Sequence, residues 1–560
     1  MTAPADLLFT NGPVYDPGRP SSRPDSVAVR GGAIVARGEA ARALAGRGTR
    51  EVDLRGGLLL PGFQDAHVHA VFGGLELGQC DLTAITDQDA LLDRVAGYAA
   101  ENPQAAWITG AGWSLESFPG GLPTAAQLDR VVSDRPALLH NRDHHGAWVN
   151  SRALELAGIT AATPDPADGR IERDARGNPT GMLQEGAVAL VGRLVPELRR
   201  GDLDAALLRA QRLLHSLGIT AWQDALVGTA MGMADNYEVY RAAAASGALT
   251  ARVRGALWWD RERGPEQIEE LLRRRECGRV GRFDPGSVKI MQDGIIESRT
   301  AALLDPYLSP ASPNAAPLSP ASHACACKGG PAAERGLSFV DPELLRDYVT
   351  QLDRHGFQVH FHALGDRAVR EALDALQAAR AANGASGHRH HLAHLQVVHP
   401  DDVQRFKPLG AAANIQPLWA AHEPQMDTLA IPVLGSERAR WQYPFGDLLR
   451  SGATLAAGSD WPVSSADPMA GIHVAVNRVL PGAKGKPFLP EQRLTLAEAL
   501  TAYTAGTAWV NHRDDTGTLH VGSQADLIVL DRDPFTGPAE EIHQARVRAT
   551  FVSGDEVWSG

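Results

Sequence analysis

Residues 61–69, Pro61-Gly62-Phe63-Gln64-Asp65-Ala66-His67-Val68-His69, end an apolar run that opens with Leu58-Leu59-Leu60. On an extended strand, residues two apart share a face, so both imidazoles reach one metal ion if this run is a strand. Alone, such a His-x-His reads equally well as two solvated side chains at a strand end. It gains weight from the rest of the chain, where apolar runs of strand length alternate with helical segments. The runs finish near His69, Asp224, Trp258, Asp293, His362, His394, Trp419 and Asp460. That alternation predicts parallel β/α units, and eight such strands close into a barrel whose chemistry sits at their C-terminal ends. One of the intervening helices is explicit: Leu203, Leu207, Ala210, Leu214 and Leu217 recur at helical spacing, and Gly218 ends the run.

The first and second strands lie about 150 residues apart, far beyond the few residues of an ordinary βα connection. This predicts an inserted α+β subdomain at approximately 72–200, with turn residues in 163–169 and 176–178 marking a hairpin inside it. Short strands with turn punctuation occur at both ends, in Leu7–Thr10, Ser26–Val29 and Ala33–Ala36 and again in 525–530 and 547–552. Residues 1–57 plus 515–560 are therefore expected to form one composite β-sandwich beside a barrel of residues 58–514. The Pro/Ala/Ser-rich stretch 306–335 reads as a loop beyond the fourth strand. Its Cys325 and Cys327, with His323, lack a fourth ligand nearby for a soft metal.

A chain of 560 residues with 44% hydrophobic and 21% charged residues is in the ordinary globular range. Its net charge of -12 comes without a long single-sign block, which argues against a nucleic-acid or membrane-surface partner and for a small-molecule substrate. The start, MTAPADLLFTNG, carries neither a basic leader nor an apolar run of signal length, and four cysteines do not make a disulfide framework. A cytoplasmic protein is expected, and a homodimer is compatible with this composition.

Five of the 54 basic residues are lysines, so arginine serves almost wherever a cation suffices. Lys289 stands apart from the other four because it lies in an apolar strand, Ser287-Val288-Lys289-Ile290-Met291, where an unpaired ammonium is costly. Reaction with carbon dioxide would convert it to an anionic carbamate able to bridge two metals; pairing with Asp293 is the plainer alternative. Further strand ends deliver His362, with His360 on the same face, and His394, with His390 on the same face and His391 expected to point outward. Spacing leaves open which of these ligate. Asp366 is read as the N-cap of a helix over Arg367–Ala379. The strand Ala456-Ala457-Gly458-Ser459-Asp460 ends in a carboxylate placed to act as ligand and general base together. Two dications against a carbamate, Asp460 and a hydroxide leave about one positive charge to stabilise an oxyanion.

Taken in order, these segments resemble the amidohydrolase superfamily, and within it the branch of N-substituted formamide deformylases and YtcJ-like proteins. The resemblance runs nearly end to end: PGFQDAHVH, GAGW near Trp113, PTAAQLD at 123–129, DHHGAWVNSRAL at 143–154, GNPTGMLQE at 177–185, HALGDRAV at 362–369, GSDWPV at 458–463, LTLAEALTAYTAGTA at 494–508 and the closing GSQADLIVLDRDP. It implies a distorted (β/α)8 TIM barrel with a composite sandwich. It also implies a metal centre of His67, His69, Lys289, His362, His394 and Asp460, so it favours His362 and His394 over His360 and His390. His145 and Gln416 are implied to face substrate. The Asp143-His144-His145 segment, where the family has Asp-Gly-His, and the enlarged 308–330 stretch depart from the pattern where a substrate would be gripped.

The expected activity is hydrolysis of a C–N bond in a small N-acyl or N-formyl amine by a metal-activated hydroxide. One or two divalent ions, zinc by expectation, would be held with Lys289 N6-carboxylated, and Asp460, Lys289 and His394 would form the catalytic set. Trp461 and Trp419 are expected at the pocket, favouring an apolar or aromatic substituent. An ester, lactone or carbamate suits the same centre. A non-catalytic metabolite- or partner-binding homologue would show a lost ligand, and all six are present.

Overall fold

Every residue of Phe63–Val68 is buried, as in a strand covered on both faces, and this strand is the first of eight that run parallel around a barrel. We call it β1. In a computed structural model that describes residues 3–19, 21–83, 85–196, 198–230, 233–308 and 335–560, it is followed by β2 (Ile219–Val227), β3 (Arg252–Trp258), β4 (Phe283–Met291), β5 (Gln358–Ala363), β6 (His391–His394), β7 (Ala412–Ile415) and β8 (Thr454–Ala457). Each strand pairs in parallel with the next. Past the end of β8 the ring is closed by two backbone bonds, from Asp460 N to the His67 carbonyl at 2.7 Å and from His69 N to the Trp461 carbonyl at 2.9 Å.

Helices cover the outside. The helix Arg200–Ser216 buries Leu203, Leu207, Ala210 and Leu214 against β2, and each fully buried leucine contributes about 1.5–3 kcal/mol over an exposed one. Gly218 then turns the chain at φ 82°, a left-handed angle that glycine adopts without strain. Between β1 and β2 lies a six-stranded sheet that includes the antiparallel hairpin Gly169–Arg173 with Pro179–Glu185. Strands from both ends of the chain build a third sheet of eight strands, in which Leu527–Leu530 pairs with Leu59–Pro61 and Leu7–Val14 pairs with Arg23–Arg30. In the latter pair Asn11-Gly12, the turn signal that follows the Leu7–Thr10 run in the sequence, is instead a bulge inside one continuous strand, with Asn11 at φ 61°. Among the described residues, no helix is long and apolar enough to cross a membrane.

Asp366 corrects one expectation. It is the first residue of the helix Asp366–Asn383, whose N-cap is Gly365, and its carboxylate accepts the backbone N–H of Leu304 at 2.9 Å. The side chain serves the loop after β4 in place of its own helix. Cys325, Cys327 and nearly all of the 306–335 stretch lie outside the described residues.

Candidate metal centre

β1 and β8 deliver three donors to one point. Asp460 Oδ1 stands 3.3 Å from His67 Nε2 and 3.1 Å from His69 Nε2, and Asp460 Oδ2 is 3.8 Å from His394 Nδ1. Asp65 makes this convergence, and its role was not read from the sequence. Its carboxylate accepts from the backbone N–H of His67 (2.9 Å) and of Ser459 (3.0 Å) and from the Ser459 hydroxyl (2.6 Å), lacing the two strand ends together. Gly458 is required at the crossing, because a Cβ there would sit 2.7 Å from the His67 nitrogen.

β5 and β6 bring His362 and His394, whose rings are 4.5 Å apart; His394 and His67 are 4.6 Å apart. Trp419 lies flat on His394, 4° from parallel at 5.3 Å. Asp460 and His394 hold left-handed φ values of 56° and 80°, strained for residues with side chains, of order 1–3 kcal/mol each.

That strain explains why strand alternation misplaced a neighbour. His391 was expected to point outward, yet it is fully buried inside the barrel against His360, with ring centroids 4.1 Å apart. His394 leaves the extended conformation at the end of β6, so it turns inward out of phase with the strand and removes the basis of the two-residue count. His390 instead points away, its Nε2 on Asp353 at 3.0 Å and its Nδ1 accepting Val359 N–H at 3.0 Å. Asp353, His388 and His390 group tightly enough to resemble a second metal site. Both nitrogens of His390 are already engaged, however, and Nε2 must carry the proton, so this trio is a hydrogen-bonded strut.

Lys289 projects from β4 into the same cavity and is 3% exposed. Burial brings its pKa down to about 7, so much of it is a neutral amine near neutrality. Asp293 does not pair with it; that carboxylate accepts the N–H groups of Ala302, Leu364 and Gly365. Burial first and the Lys289 charge second lower His67 to about 3, and burial with neighbouring charge holds His362 and His394 well below the ordinary range. All three are neutral, as metal ligands must be.

The residues fit a divalent metal. His67, His69 and Asp460 present donor atoms within 4.8 Å of one another. Asp460 Oδ1, His69 Nδ1 and both His394 nitrogens are buried without a hydrogen-bond partner, which is costly unless something else occupies them.

The cavity has a volume of about 70 Å³ and an apolar wall of Phe72, Leu226, Met233, Trp258, Pro462 and Val463. His145 lines it too, with Nδ1 on the Glu185 carboxylate at 2.9 Å and its ring 5.2 Å from that of His362. Burial lowers His145, but Glu185 outweighs that and raises it to about 9. Glu185 also accepts from the Thr300 hydroxyl, a contact no local pattern announced. Three residues expected to face substrate do not line the cavity: Gln416 lies behind His394 and accepts its backbone N–H at 2.8 Å, Trp461 packs over Gly73 of the helix Ala70–Glu76, and Trp419 is stacked on His394. Trp258 supplies the indole at the cavity.

Comparison with known proteins places this geometry. The pattern of the amidohydrolase family matches residues 50–558. The chain belongs to the amidohydrolase family. This amidohydrolase is 32% identical over 565 residues to the LONG AFTER FAR-RED 3 protein of Arabidopsis thaliana, covering 99% of this chain and 92% of the relative. It is 30% identical over 558 residues to the YtcJ protein of Bacillus subtilis (98% and 99%) and 27% identical over 581 residues to an N-substituted formamide deformylase of Arthrobacter pascens (99% and 98%). Among solved structures, an uncharacterized metal-dependent hydrolase from Pyrococcus horikoshii superposes with a TM-score of 0.71 at 25% identity, covering 95% of this chain and 99% of the other. The amidohydrolase is thus a metal-dependent hydrolase on a (β/α)8 barrel with added sheets.

Proposed function

We propose that this amidohydrolase cleaves the C–N bond of a small N-acyl amine, with an N-formyl or similarly short acyl group. The observation that carries this reading is the cavity: six candidate ligands meet in about 70 Å³ under an apolar wall, which suits a short acyl head with an apolar or aromatic amine substituent. The likeness to a formamide deformylase along 99% of the chain supports it.

His67, His69, His362, His394, Asp460 and a carboxylated Lys289 would hold the metal, zinc being our choice. The neutral Lys289 amine adds to carbon dioxide and releases one proton, leaving an anionic carbamate. A divalent ion in this position supplies Lewis acidity and brings the pKa of water to about 7. Asp460 takes the proton of the attacking water and returns it to the leaving nitrogen. His145, anchored through Nδ1 by Glu185, turns its other edge to the cavity and donates to the substrate carbonyl oxygen. An exposed free thiol at Cys277 fits the reducing cytoplasm as its compartment.

The test is a panel of N-formyl, N-acetyl and N-butyryl derivatives of one aromatic amine, with the matching esters and lactones, assayed on metal-loaded protein. We expect kcat/KM to fall steeply from formyl to butyryl. Faster turnover of esters or lactones than of any amide would overturn the substrate class, and equal rates for formyl and butyryl would overturn the argument from cavity size.

A further inference from the structure

His360 was a candidate ligand by spacing, yet it stands one layer below the ligands, with Nε2 2.9 Å from His67 Nδ1. It belongs to a chain of side chains crossing the barrel interior, and main-chain atoms fix the direction of that chain. Gln358 donates both hydrogens of Nε2 to backbone carbonyls, of Arg389 at 2.7 Å and Val510 at 2.8 Å, so its Oε1 faces inward. That oxygen accepts from Gln223 Nε2 at 3.2 Å, which turns Gln223 Oε1 toward two imidazoles. His360 Nδ1 is 2.7 Å from it and His391 Nε2 is 3.0 Å from it. An amide oxygen only accepts, so both of these nitrogens carry hydrogen.

A second anchor reached from the opposite side gives the same polarity. Asn414 Nδ2 donates to the Ala66 carbonyl at 2.8 Å and also to His391 Nδ1 at 3.1 Å, which must therefore be bare. Asn414 Oδ1 accepts from Gln416 Nε2 at 3.1 Å, and Gln416 Oε1 accepts the backbone N–H of His394. Gln223, His360, His391 and Asn414 are fully buried and Gln358 and Gln416 are 1% exposed, so bulk solvent cannot repair a reversed amide.

With one hydrogen on each ring, His360 has its hydrogen on Nδ1 and a lone pair on Nε2. His67 must then donate from Nδ1, which leaves its own lone pair on Nε2, the atom facing Asp460. We propose that His360 is a positioning residue that fixes the His67 tautomer for metal binding, at one end of a chain whose other end holds the backbone of the ligand His394. This inference rests on the metal-centre reading above.

The test uses full-length wild type, His360→Leu and His360→Gln. Zinc affinity is measured by competition with a chromogenic chelator, and deuterium positions in metal-free wild-type crystals are read by neutron diffraction. Leucine removes the acceptor and should weaken zinc binding by about 10–100-fold, the usual effect of losing a ligand's hydrogen-bond partner. Glutamine offers an oxygen to His67 Nδ1 and should restore much of the affinity. Deuterium on His67 Nδ1 and His360 Nδ1 is expected in the wild type; deuterium on His67 Nε2 alone overturns the proposal, whether or not the variants fold. Equal affinity in folded His360→Leu and wild type also overturns it. Wild type that takes up no divalent metal defeats the metal-centre reading instead, a separate outcome.

Discussion

Lys289 is the residue on which the chemistry of the centre turns. Its amine is buried among five imidazoles whose pKa values its charge lowers, and a cation held there permanently would repel the metal. Lys289→Arg is therefore expected to lose more activity than the roughly 10–100-fold seen on removing a ligand's partner, because guanidinium stays charged and forms no carbamate. Lys289→Ala should regain part of its activity in millimolar propionate. Wild-type turnover by the arginine variant would end the carbamate idea. This residue was legible in the sequence because lysine is so scarce. Asp65 and Glu185 were not, since their partners Ser459 and His145 lie 394 and 40 positions away and no local pattern marks such pairings.

At the level of elements, Asp353 ties the end of the helix Pro342–Arg354 to the segment entering β6. Burial pushes its pKa up, but hydrogen bonds from His390, Asn383, Ser386 and His388 outweigh this and hold it well below the ordinary carboxylate value. A depressed carboxyl stabilises the fold above its unfolded pKa and loses that contribution as pH falls through its folded value. Urea unfolding of metal-free protein should show Asp353→Asn less stable by about 1–3 kcal/mol at pH 5–7, with the gap shrinking below about pH 4. A gap that stays constant to pH 3 would assign the effect to packing. The eight strands themselves were readable, since apolar runs and their polar ends are local signals. The phase at the end of β6 was not, because the φ of 80° at His394 is imposed by the site and has no mark in the residues around it.

For the whole molecule, the candidate ligands come from β1, β4, β5, β6 and the end of β8, so a bound ion links strands far apart in the ring. Chelation should lower the midpoint of thermal unfolding, and free zinc at 1,000 times its dissociation constant should add about 4 kcal/mol to stability. Calorimetry with and without chelator checks this; identical midpoints would mean that no ion is held by the folded state. Family resemblance supplied the choice between His362 and His360, and the barrel interior supplies a physical reason for it, because His360 is already committed to His67.

The sheet shared by the two ends of the chain sets a timetable for synthesis. Tyr15 reaches the Ala497 carbonyl across 482 positions, Arg50 pairs with Glu556 across 506, and Asp65 waits for Ser459 across 394. At roughly 5–20 residues per second a ribosome needs about 20–80 s to bring Ser459 out after Asp65. Throughout that interval the nascent chain exposes an open strand edge beside Leu59–Pro61 and a barrel missing its last wall. Assembly of the metal centre and then sealing of the sheet are both late events: a chain released before residue 460 lacks a ligand as well as the strand Leu527–Leu530, and one released between them has its ligands but an unsealed sheet.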